Sequence, residues 1–183
     1  FPWKKSYFFW GDERCVPLND KRNNAFQART ILLDESPLPL SHIHRIPVNL
    51  NPTEAAIEYE NDINKFFGNE PPKFDLMLLG LGENGHTASL FPGTKVLEET
   101  AMGVREVDIE EGQTSSSSGQ KKESRITMTA SLISESHNIL FLVTGGGKAE
   151  ILQKILNIPY QPNIYPAQMI RPRDGAMYWF IDR

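Results

Sequence analysis

The sequence predicts a single α/β domain in which helices flank a mainly parallel sheet. Two observations support this prediction: short apolar runs typical of strands recur along the chain, and amphipathic stretches with helix start and stop residues lie between them. The 183 residues are enough to bury one ordinary core. With 39% hydrophobic and 23% charged residues, the composition differs clearly from that of disordered chains. We therefore expect one domain over residues 1–183.

Four apolar runs are the predicted strands. They are SYFFW at 6–10, FDLMLLG at 74–80, NILFLVTG at 138–145 and MYWFID at 177–182. Three of them are almost continuously apolar, which is typical of strands that are covered on both faces in a parallel sheet. We therefore expect a sheet with both faces buried and helices in its connections.

The clearest helix runs from Asn51 to Phe67. Asn51 can cap it, Pro52 occupies the first helical position, and Gly68 ends it. Glu54 is placed for a reciprocal capping contact. Apolar residues at spacings of three and four predict one packed face, made of Ala56, Tyr59, Ile63, Phe66 and Phe67.

Two further helices are expected, one over residues 24–33 and one after Gly147 with Leu152, Ile155 and Leu156 facing inward. The alternation of strands and helices favours a layered, Rossmann-like fold with right-handed crossovers. Residues 110–124, EEGQTSSSSGQKKES, interrupt this pattern because they have no apolar periodicity. We expect them to form a mobile loop within the domain.

Charge and composition exclude several classes of protein. A net charge of -4 and a pI of about 5.6 do not provide the basic surface that nucleic-acid binding requires. No apolar run approaches the roughly 20 residues that span a bilayer. The single cysteine, Cys15, favours a reducing compartment. We therefore expect a cytoplasmic protein that binds neither nucleic acid nor membranes.

The segment at 74–93, FDLMLLGLGENGHTASLFPG, joins an apolar strand to a glycine-rich turn. Binding sites in open α/β sheets lie at the carboxyl ends of strands. The backbone amides of Gly80, Gly82 and Gly85 are candidates for stabilising an anion or a developing oxyanion. His86 projects from the same turn, and a neutral imidazole with a pKa of about 6.5 is a natural general base. A structural histidine bonded to a loop carbonyl is the alternative.

Gly80, Gly82 and Gly85 also have the bare glycine spacing of a dinucleotide-binding loop. That motif continues into a crossover helix and includes an acidic residue about 20 positions further on. Here Pro92 and Gly93 come too early for the helix, and no acidic residue ends a clear second strand at that distance. The sequence therefore argues against nicotinamide binding.

Asp12 and Arg14 lie where the first strand ends, in the segment WGDERCVPLNDKRNN at 10–24. The alternation of a strand points the two side chains the same way. An acid and a guanidinium side by side can orient an imidazole or a water molecule and hold an anionic oxygen. A surface ion pair is the alternative.

The segment LVTGGGKAEIL at 142–152 again reads as strand, glycine turn and helix, with Lys148 in the first helical turn. Exposed amides, the helix dipole and an ammonium group together predict a phosphate site. It is not a Walker loop, because the four-residue spacer and the Ser or Thr after the lysine are absent. Arg125, which opens RITMT, adds another cation. Solvated surface charges are the alternative for each of these residues.

Six features occur in the order seen in the 6-phosphogluconolactonase family: WGDERCVP, Asn24, GLGENGHTASLFPG, RITMT, LVTGGGKA and YPAQMIRPRDGAMYWFID. The chain resembles that family over nearly its whole length. The related glucosamine-6-phosphate deaminases have a similar turn before the histidine. They continue with Ile-Ala-Phe-Asn-Glu, where this chain has Thr87 to Phe91, and they have an aromatic residue in place of Arg14.

The resemblance implies hydrolysis of 6-phospho-D-glucono-1,5-lactone to 6-phosphogluconate, the second step of the oxidative pentose phosphate pathway, without a metal or an organic cofactor. His86 matches the general base of the family, and Asp12 and Arg14 match the acidic and basic members of its active-site motif. Lys148 matches a lysine that contacts sugar phosphate in the wider superfamily. The expected substrate-binding residues are Lys148, Arg125, Asn24, Gly82 and Gly85.

Two features depart from the family. Asn84 stands where the family usually has aspartate, which removes a negative charge. Family members also begin with a strand and a Ser-Gly-Gly-Ser-Thr-Pro loop that cradles phosphate, and the sequence given has neither. We therefore expect an N-terminally incomplete domain with weak phosphate binding and an unpaired sheet edge. A catalytically impaired remnant, a sugar-phosphate-binding protein and a deaminase-type enzyme are the alternatives to an active lactonase.

Overall fold

The computed structural model describes residues 1–110 and 122–182, and its strands form three sheets. The strands are β1 (Phe8–Phe9), β2 (Asp12–Arg14), β3 (Ile43–His44), β4 (Met77–Gly80), β5 (Val104–Glu110), β6 (Lys122–Met128), β7 (Asn138–Val143) and β8 (Ala176–Ile181). The four predicted strands are confirmed as β1, β4, β7 and β8. β1 pairs with β3, and β4, β7 and β8 form a second sheet in that order; all pairs in these two sheets are parallel.

The third sheet is antiparallel, has the order β2–β6–β5, and was not predicted. Its register places Arg14 opposite Arg125 and Asp12 opposite Thr127. Two segments that lie more than a hundred positions apart in the chain are therefore neighbours beside the parallel sheet. Sequence periodicity cannot find such a pairing, because β2 has only three residues and is charged throughout.

The predicted mobile loop at 110–124 is corrected at both ends. Glu110 is the last residue of β5 and pairs with Lys122, the first residue of β6. Ser124 pairs with Asp108, and its hydroxyl donates to the Asp108 carboxylate at 2.7 Å. Backbone pairing and polar cross-strand contacts order these residues without apolar side chains. Residues 111–121 lie outside the described part of the chain.

The α-helices are α1 (Asn24–Ala28), α2 (Pro52–Phe67), α3 (Ala130–Ser134) and α4 (Ala149–Asn157). The predicted start and end of α2 are confirmed: the Asn51 side chain accepts from the Glu54 amide at 3.0 Å, and Gly68 has a φ of 67°. The expected helix at 24–33 is α1 followed by one π-helical turn over Arg29–Leu33. No helix among the described residues is long and apolar enough to cross a membrane.

One inward position was predicted wrongly: Leu156 of α4 is 51% exposed. Phe66 of α2 is 39% exposed, but its ring packs edge-on against Phe9 of β1 and His44 of β3, with centroids 5.1 and 5.3 Å apart. Tyr59 and Ile63 are buried as expected. The face of α2 packs on β5 and β6 of the antiparallel sheet.

The sheet β4–β7–β8 is covered on only one face by the described residues. Ile139 and Phe141 of β7 are fully buried. On the opposite face Leu78, Leu142 and Phe180 are 56%, 45% and 58% exposed. The prediction that both faces are buried is therefore wrong for the chain as described. A continuous apolar run indicates that both faces of a strand are apolar, but it does not show whether another element of the chain covers both of them.

Candidate active site

A cavity of about 420 Å³ lies beside the carboxyl end of β4 and the strand β2. Its wall contains seven of the eight residues that were predicted for the site: Asp12, Arg14, Asn24, Gly82, His86, Arg125 and Lys148. Gly85 is buried behind the turn and is not part of the wall. No cluster of three or more His, Cys, Asp or Glu side chains in the described residues is arranged to hold a metal ion.

The imidazole of His86 lies directly against the backbone of Gly82. A Cβ atom at position 82 would overlap the imidazole ring, so only glycine leaves room for it. The ring also stacks on the buried Phe91, with 4.1 Å between centroids and 24° between planes. The strand-to-turn geometry therefore fixes the position of the imidazole through close packing.

Asn84 determines which nitrogen of His86 carries the proton. The Asn84 Oδ1 atom accepts from the His86 backbone amide at 3.2 Å and lies 2.5 Å from His86 Nδ1. Because a backbone amide can only donate, the atom facing both groups is the amide oxygen, and Nδ1 must carry hydrogen. Nε2 is then the unprotonated nitrogen, and it has no hydrogen-bond partner in the described residues.

The pKa of His86 is lowered to about 4. Burial is the largest cause, because it penalises the charged imidazolium, and the positive charges of Arg125, Lys148 and Arg14 lower the pKa further. The imidazole is therefore neutral at physiological pH and can accept a proton. All three cations line the same cavity as His86.

The amides of Gly82 and Gly85 have a different role from the one that was predicted. The Gly82 amide donates to the His86 carbonyl at 2.8 Å, and the Gly85 amide donates to the Gly82 carbonyl at 3.0 Å. Both donors are used to close the turn, so neither is exposed to a substrate. Gly85 is needed for its φ of 81°, which side chains rarely adopt.

Asp12 and Arg14 both line the cavity, as strand alternation predicted, but they do not bond to each other. Asp12 Oδ2 accepts from the buried Ser89 hydroxyl at 2.6 Å. Arg14 Nη1 donates to Asn24 Oδ1 at 2.7 Å and to the Arg22 carbonyl at 3.0 Å. The alternative of a simple surface ion pair between Asp12 and Arg14 is therefore wrong.

Arg125 is almost completely buried at one side of the cavity. Its Nε and Nη2 atoms both donate to Glu123 Oε2, at 2.9 and 2.7 Å, and its guanidinium lies over the Phe91 ring at 5.3 Å. Nη1 has no hydrogen-bond partner in the described residues. The alternative of a solvated surface charge does not fit this residue.

Lys148 directly precedes α4, as its N-cap residue, where it was predicted within the first turn. Its Nζ atom is 3.8 Å from Glu83 Oε1, a distance typical of a weak ion pair. Lys148 lines the cavity together with the turn after β4. The ammonium group of Lys148 therefore belongs to the same cavity as Arg14 and Arg125.

Three residues that contribute to this geometry were not predicted as part of the site. Ser89 holds Asp12, Asn84 sets the tautomer of His86, and Glu13 bonds to the backbone of α1. Ser89 and Asn84 lie within the quoted GLGENGHTASLFPG segment, and Glu13 lies between Asp12 and Arg14. All three residues therefore lie in segments that the sequence had already singled out, but the groups to which they bond are set by tertiary contacts.

Comparisons with known proteins show the family of this chain. The family model described as glucosamine-6-phosphate isomerases/6-phosphogluconolactonase matches residues 1–179. A 6-phosphogluconolactonase of Synechocystis sp. is 38% identical over 187 aligned residues, covering 100% of this chain and 72% of the relative. A 6-phosphogluconolactonase of Haemophilus influenzae is 34% identical, covering 99% of this chain and 73% of the relative.

Solved structures show the same relationship. The crystal structure of a devB protein has a TM-score of 0.85 and 34% identity, covering 98% of this chain and 72% of that one. The 6-phosphogluconolactonase of Thermotoga maritima has a TM-score of 0.81 and 29% identity, covering 100% of this chain and 75% of that one. A monomeric glucosamine-6-phosphate deaminase has a TM-score of 0.80 at 22% identity, which shows a shared fold, and covers 99% of this chain and 74% of that one. The chain therefore belongs to the family of glucosamine-6-phosphate isomerases and 6-phosphogluconolactonases.

Proposed function

We propose that this chain hydrolyses 6-phospho-D-glucono-1,5-lactone to 6-phosphogluconate, a step of the oxidative pentose phosphate pathway. The family match and the relatives named 6-phosphogluconolactonase at 38% and 34% identity support this activity. The observation that carries the proposal is a single cavity in which a neutral His86 faces Arg14, Arg125 and Lys148. A base surrounded by cations suits an anionic ester.

His86 acts as the general base in this proposal. Its unprotonated Nε2 takes a proton from water, and the oxygen of that water attacks the lactone carbonyl carbon. When the tetrahedral intermediate collapses, the bond between that carbon and the ring oxygen breaks, and the imidazolium returns the proton to the ring oxygen. Such assistance is typically worth about 10²–10⁴-fold. The product is the open-chain acid, and no covalent intermediate is required.

Arg14 stabilises the oxyanion of the tetrahedral intermediate. The amides of Gly82 and Gly85 are bonded within the turn, so they do not supply this contact. Arg14 lines the cavity, and its Nε and Nη2 atoms have no hydrogen-bond partner in the described residues. One well-placed donor to an oxyanion is worth about 10²–10³-fold.

Arg125 and Lys148 hold the phosphate in this proposal, helped by the amino end of α4. An anion bound between these cations offsets two of the charges that lower the pKa of His86. The substrate therefore makes its own general base more basic when it binds. Asp12, held by Ser89, orients the reacting water or the imidazole.

We propose that the partner of this chain is the phosphorylated lactone and that the reaction takes place in the cytosol. The net charge of -4 and the single Cys15 support these assignments.

The exposed apolar face of the sheet β4–β7–β8 favours a second candidate, a chain that binds sugar phosphates without hydrolysing them. A sheet that is covered on only one face holds the residues of the site less rigidly.

The test is release of acid from freshly made 6-phospho-D-glucono-1,5-lactone at constant pH, with spontaneous hydrolysis subtracted. We expect hydrolysis by the wild-type chain, its loss in His86→Gln, and full activity in His137→Gln, since His137 is exposed and outside the cavity. A His86→Gln variant with wild-type kcat would exclude the proposed base. Binding without turnover would support the second candidate, and ammonia release from glucosamine 6-phosphate would indicate a deaminase.

A further inference from the structure

Asp12 and Arg14 have opposite charges and lie on the same side of β2, yet no ion pair joins them in the described residues. Two residues in this relation on a strand are close enough to pair directly. A direct pair would engage the guanidinium with a carboxylate and leave less of it for a substrate. Something in the structure must therefore keep the two groups apart.

The Asn24 side chain lies between them and bonds to both. Its Oδ1 atom accepts from Arg14 Nη1 at 2.7 Å. Its Nδ2 atom donates to the Asp12 backbone carbonyl at 3.1 Å and to Asp12 Oδ1 at 3.4 Å. Both ends of the amide are therefore occupied by protein groups, although Asn24 was predicted to bind substrate.

This contact leaves the rest of the Arg14 guanidinium available. Nη1 uses its two hydrogens on Asn24 and on the Arg22 carbonyl. Nε and Nη2 keep three hydrogens that have no acceptor among the described residues. A neutral amide thus satisfies one corner of the guanidinium without neutralising its charge.

Glu13 fixes the position of Asn24 from the other side of β2. Its carboxylate is 1% exposed and accepts from the backbone amides of Arg14, Asn24 and Ala25 at 2.8–2.9 Å. Burial raises the pKa of Glu13, and these three amides lower it in part. The carboxylate therefore holds the start of α1 against β2, so that the Asn24 side chain reaches the gap between Asp12 and Arg14.

We propose that Asn24, anchored by Glu13, is a positioning residue that separates Asp12 from Arg14 and so keeps the Arg14 guanidinium free for the substrate. The kinetic part of this inference rests on the proposed lactonase function. The separation itself is a property of the free protein. It predicts that loss of the Asn24 amide lets Arg14 turn to Asp12.

The test compares Asn24→Ala, Asp12→Asn and the double variant with the wild type, by NMR titration of the His86 imidazole. Arg14 is one of the charges that lower the pKa of His86, so its pairing with Asp12 should raise that pKa in Asn24→Ala. In the double variant Asp12 is neutral, so its His86 pKa should equal that of Asp12→Asn alone. If Asn24→Ala raised the pKa of His86 only by disturbing the structure, neutralising Asp12 would not reverse that rise.

In parallel, kcat of Asn24→Ala should fall roughly 10²-fold on both 6-phosphogluconolactone and unphosphorylated gluconolactone, with little change in KM, because Arg14 acts at the carbonyl. Asn24→Ser, too short to bridge the gap, replaces Asn24→Ala if that variant does not fold. An unchanged His86 pKa in the folded variant, or an equal rise with and without the Asp12 charge, would overturn the proposal. If the wild type hydrolyses neither lactone, the lactonase function fails while the titration still decides the positioning role.

Discussion

At the scale of single residues, the imidazole of His86 packs against the backbone of Gly82. Gly82→Ala should displace the ring, because the new methyl group would occupy its place. We expect kcat to fall by about 10²-fold or more, the range of a lost general base. NMR signals of the imidazole should shift, and the melting temperature should change little.

Gly80→Ala is the matched control for Gly82→Ala. A Cβ atom at position 80 meets nothing within 4 Å, so the same chemical change there should leave the His86 signals in place. Equal shifts in both variants would mean that the effect is general to the strand and turn. Wild-type kcat in Gly82→Ala would show that the imidazole does not need its present position.

The lowered pKa of His86 gives a pH dependence. In the free protein the base is neutral above about pH 4, so kcat/KM should be retained down to that region and fall below it. The unfolded chain protonates the same histidine near pH 6.5. The stability that depends on neutral His86 is therefore complete above about pH 6.5 and is lost as the pH falls through about 4.

Asn84→Asp tests the cause of this pH dependence. A carboxylate beside Nδ1 favours the imidazolium, so the acidic limb of the kcat/KM profile should move to higher pH. Measurement of kcat/KM from pH 3.5 to 8, over the range in which each variant remains folded, decides this. An acidic limb that is the same in both proteins would mean that His86 is not the group that titrates.

At the scale of elements, the start of α4 supplies Lys148 to the cavity. Lys148→Ala should raise KM for the phosphorylated lactone much more than for unphosphorylated gluconolactone, because the contact is with a remote anion. Lys154→Ala is the control, since Lys154 is a partly exposed residue of the same helix, lies outside the cavity and pairs with Glu150. Equal losses of kcat/KM on both lactones would indicate that Lys148 acts on the structure or at the carbonyl.

The elements differ in how far the sequence could predict them. α2 was predicted to its ends because Asn51, Pro52 and Gly68 are local signals. β2 was missed because three charged residues carry no apolar period, and its partner β6 is more than a hundred positions away. The ends of 110–124 were predicted as a loop because they have no apolar periodicity. They belong to strands because their backbones pair, and this pairing does not require apolar side chains.

At the scale of the whole molecule, the bare face of the sheet β4–β7–β8 is the main departure from a complete α/β layer. The relatives contain residues that this chain does not match, since it covers 72% of the Synechocystis protein. A version extended by the strand and the Ser-Gly-Gly-Ser-Thr-Pro loop of the family should pair an open sheet edge and add phosphate donors. We expect a higher melting temperature, by about 2–4 °C for each kcal/mol gained, and a higher kcat/KM.

An extension of the same length made of glycine and serine is the control for this comparison. It adds chain with neither a strand-forming sequence nor the phosphate loop, so it should change neither quantity. If the family extension also changed neither, phosphate recognition would rest on Arg14, Arg125 and Lys148 alone. Calorimetry and initial rates on the three proteins are sufficient to decide.

The sequence by itself determined the family, four of the five parallel strands and α2, and seven of the eight site residues that it predicted do line the cavity. These features depend on local order along the chain: apolar runs, capping residues and motifs that follow strands. Tertiary structure alone decided that Asn24 lies between Asp12 and Arg14, and that the amides of Gly82 and Gly85 bond within their own turn. The physical reason is that a hydrogen bond depends on which groups meet in space, and this depends on pairings between distant segments that residue spacing does not encode.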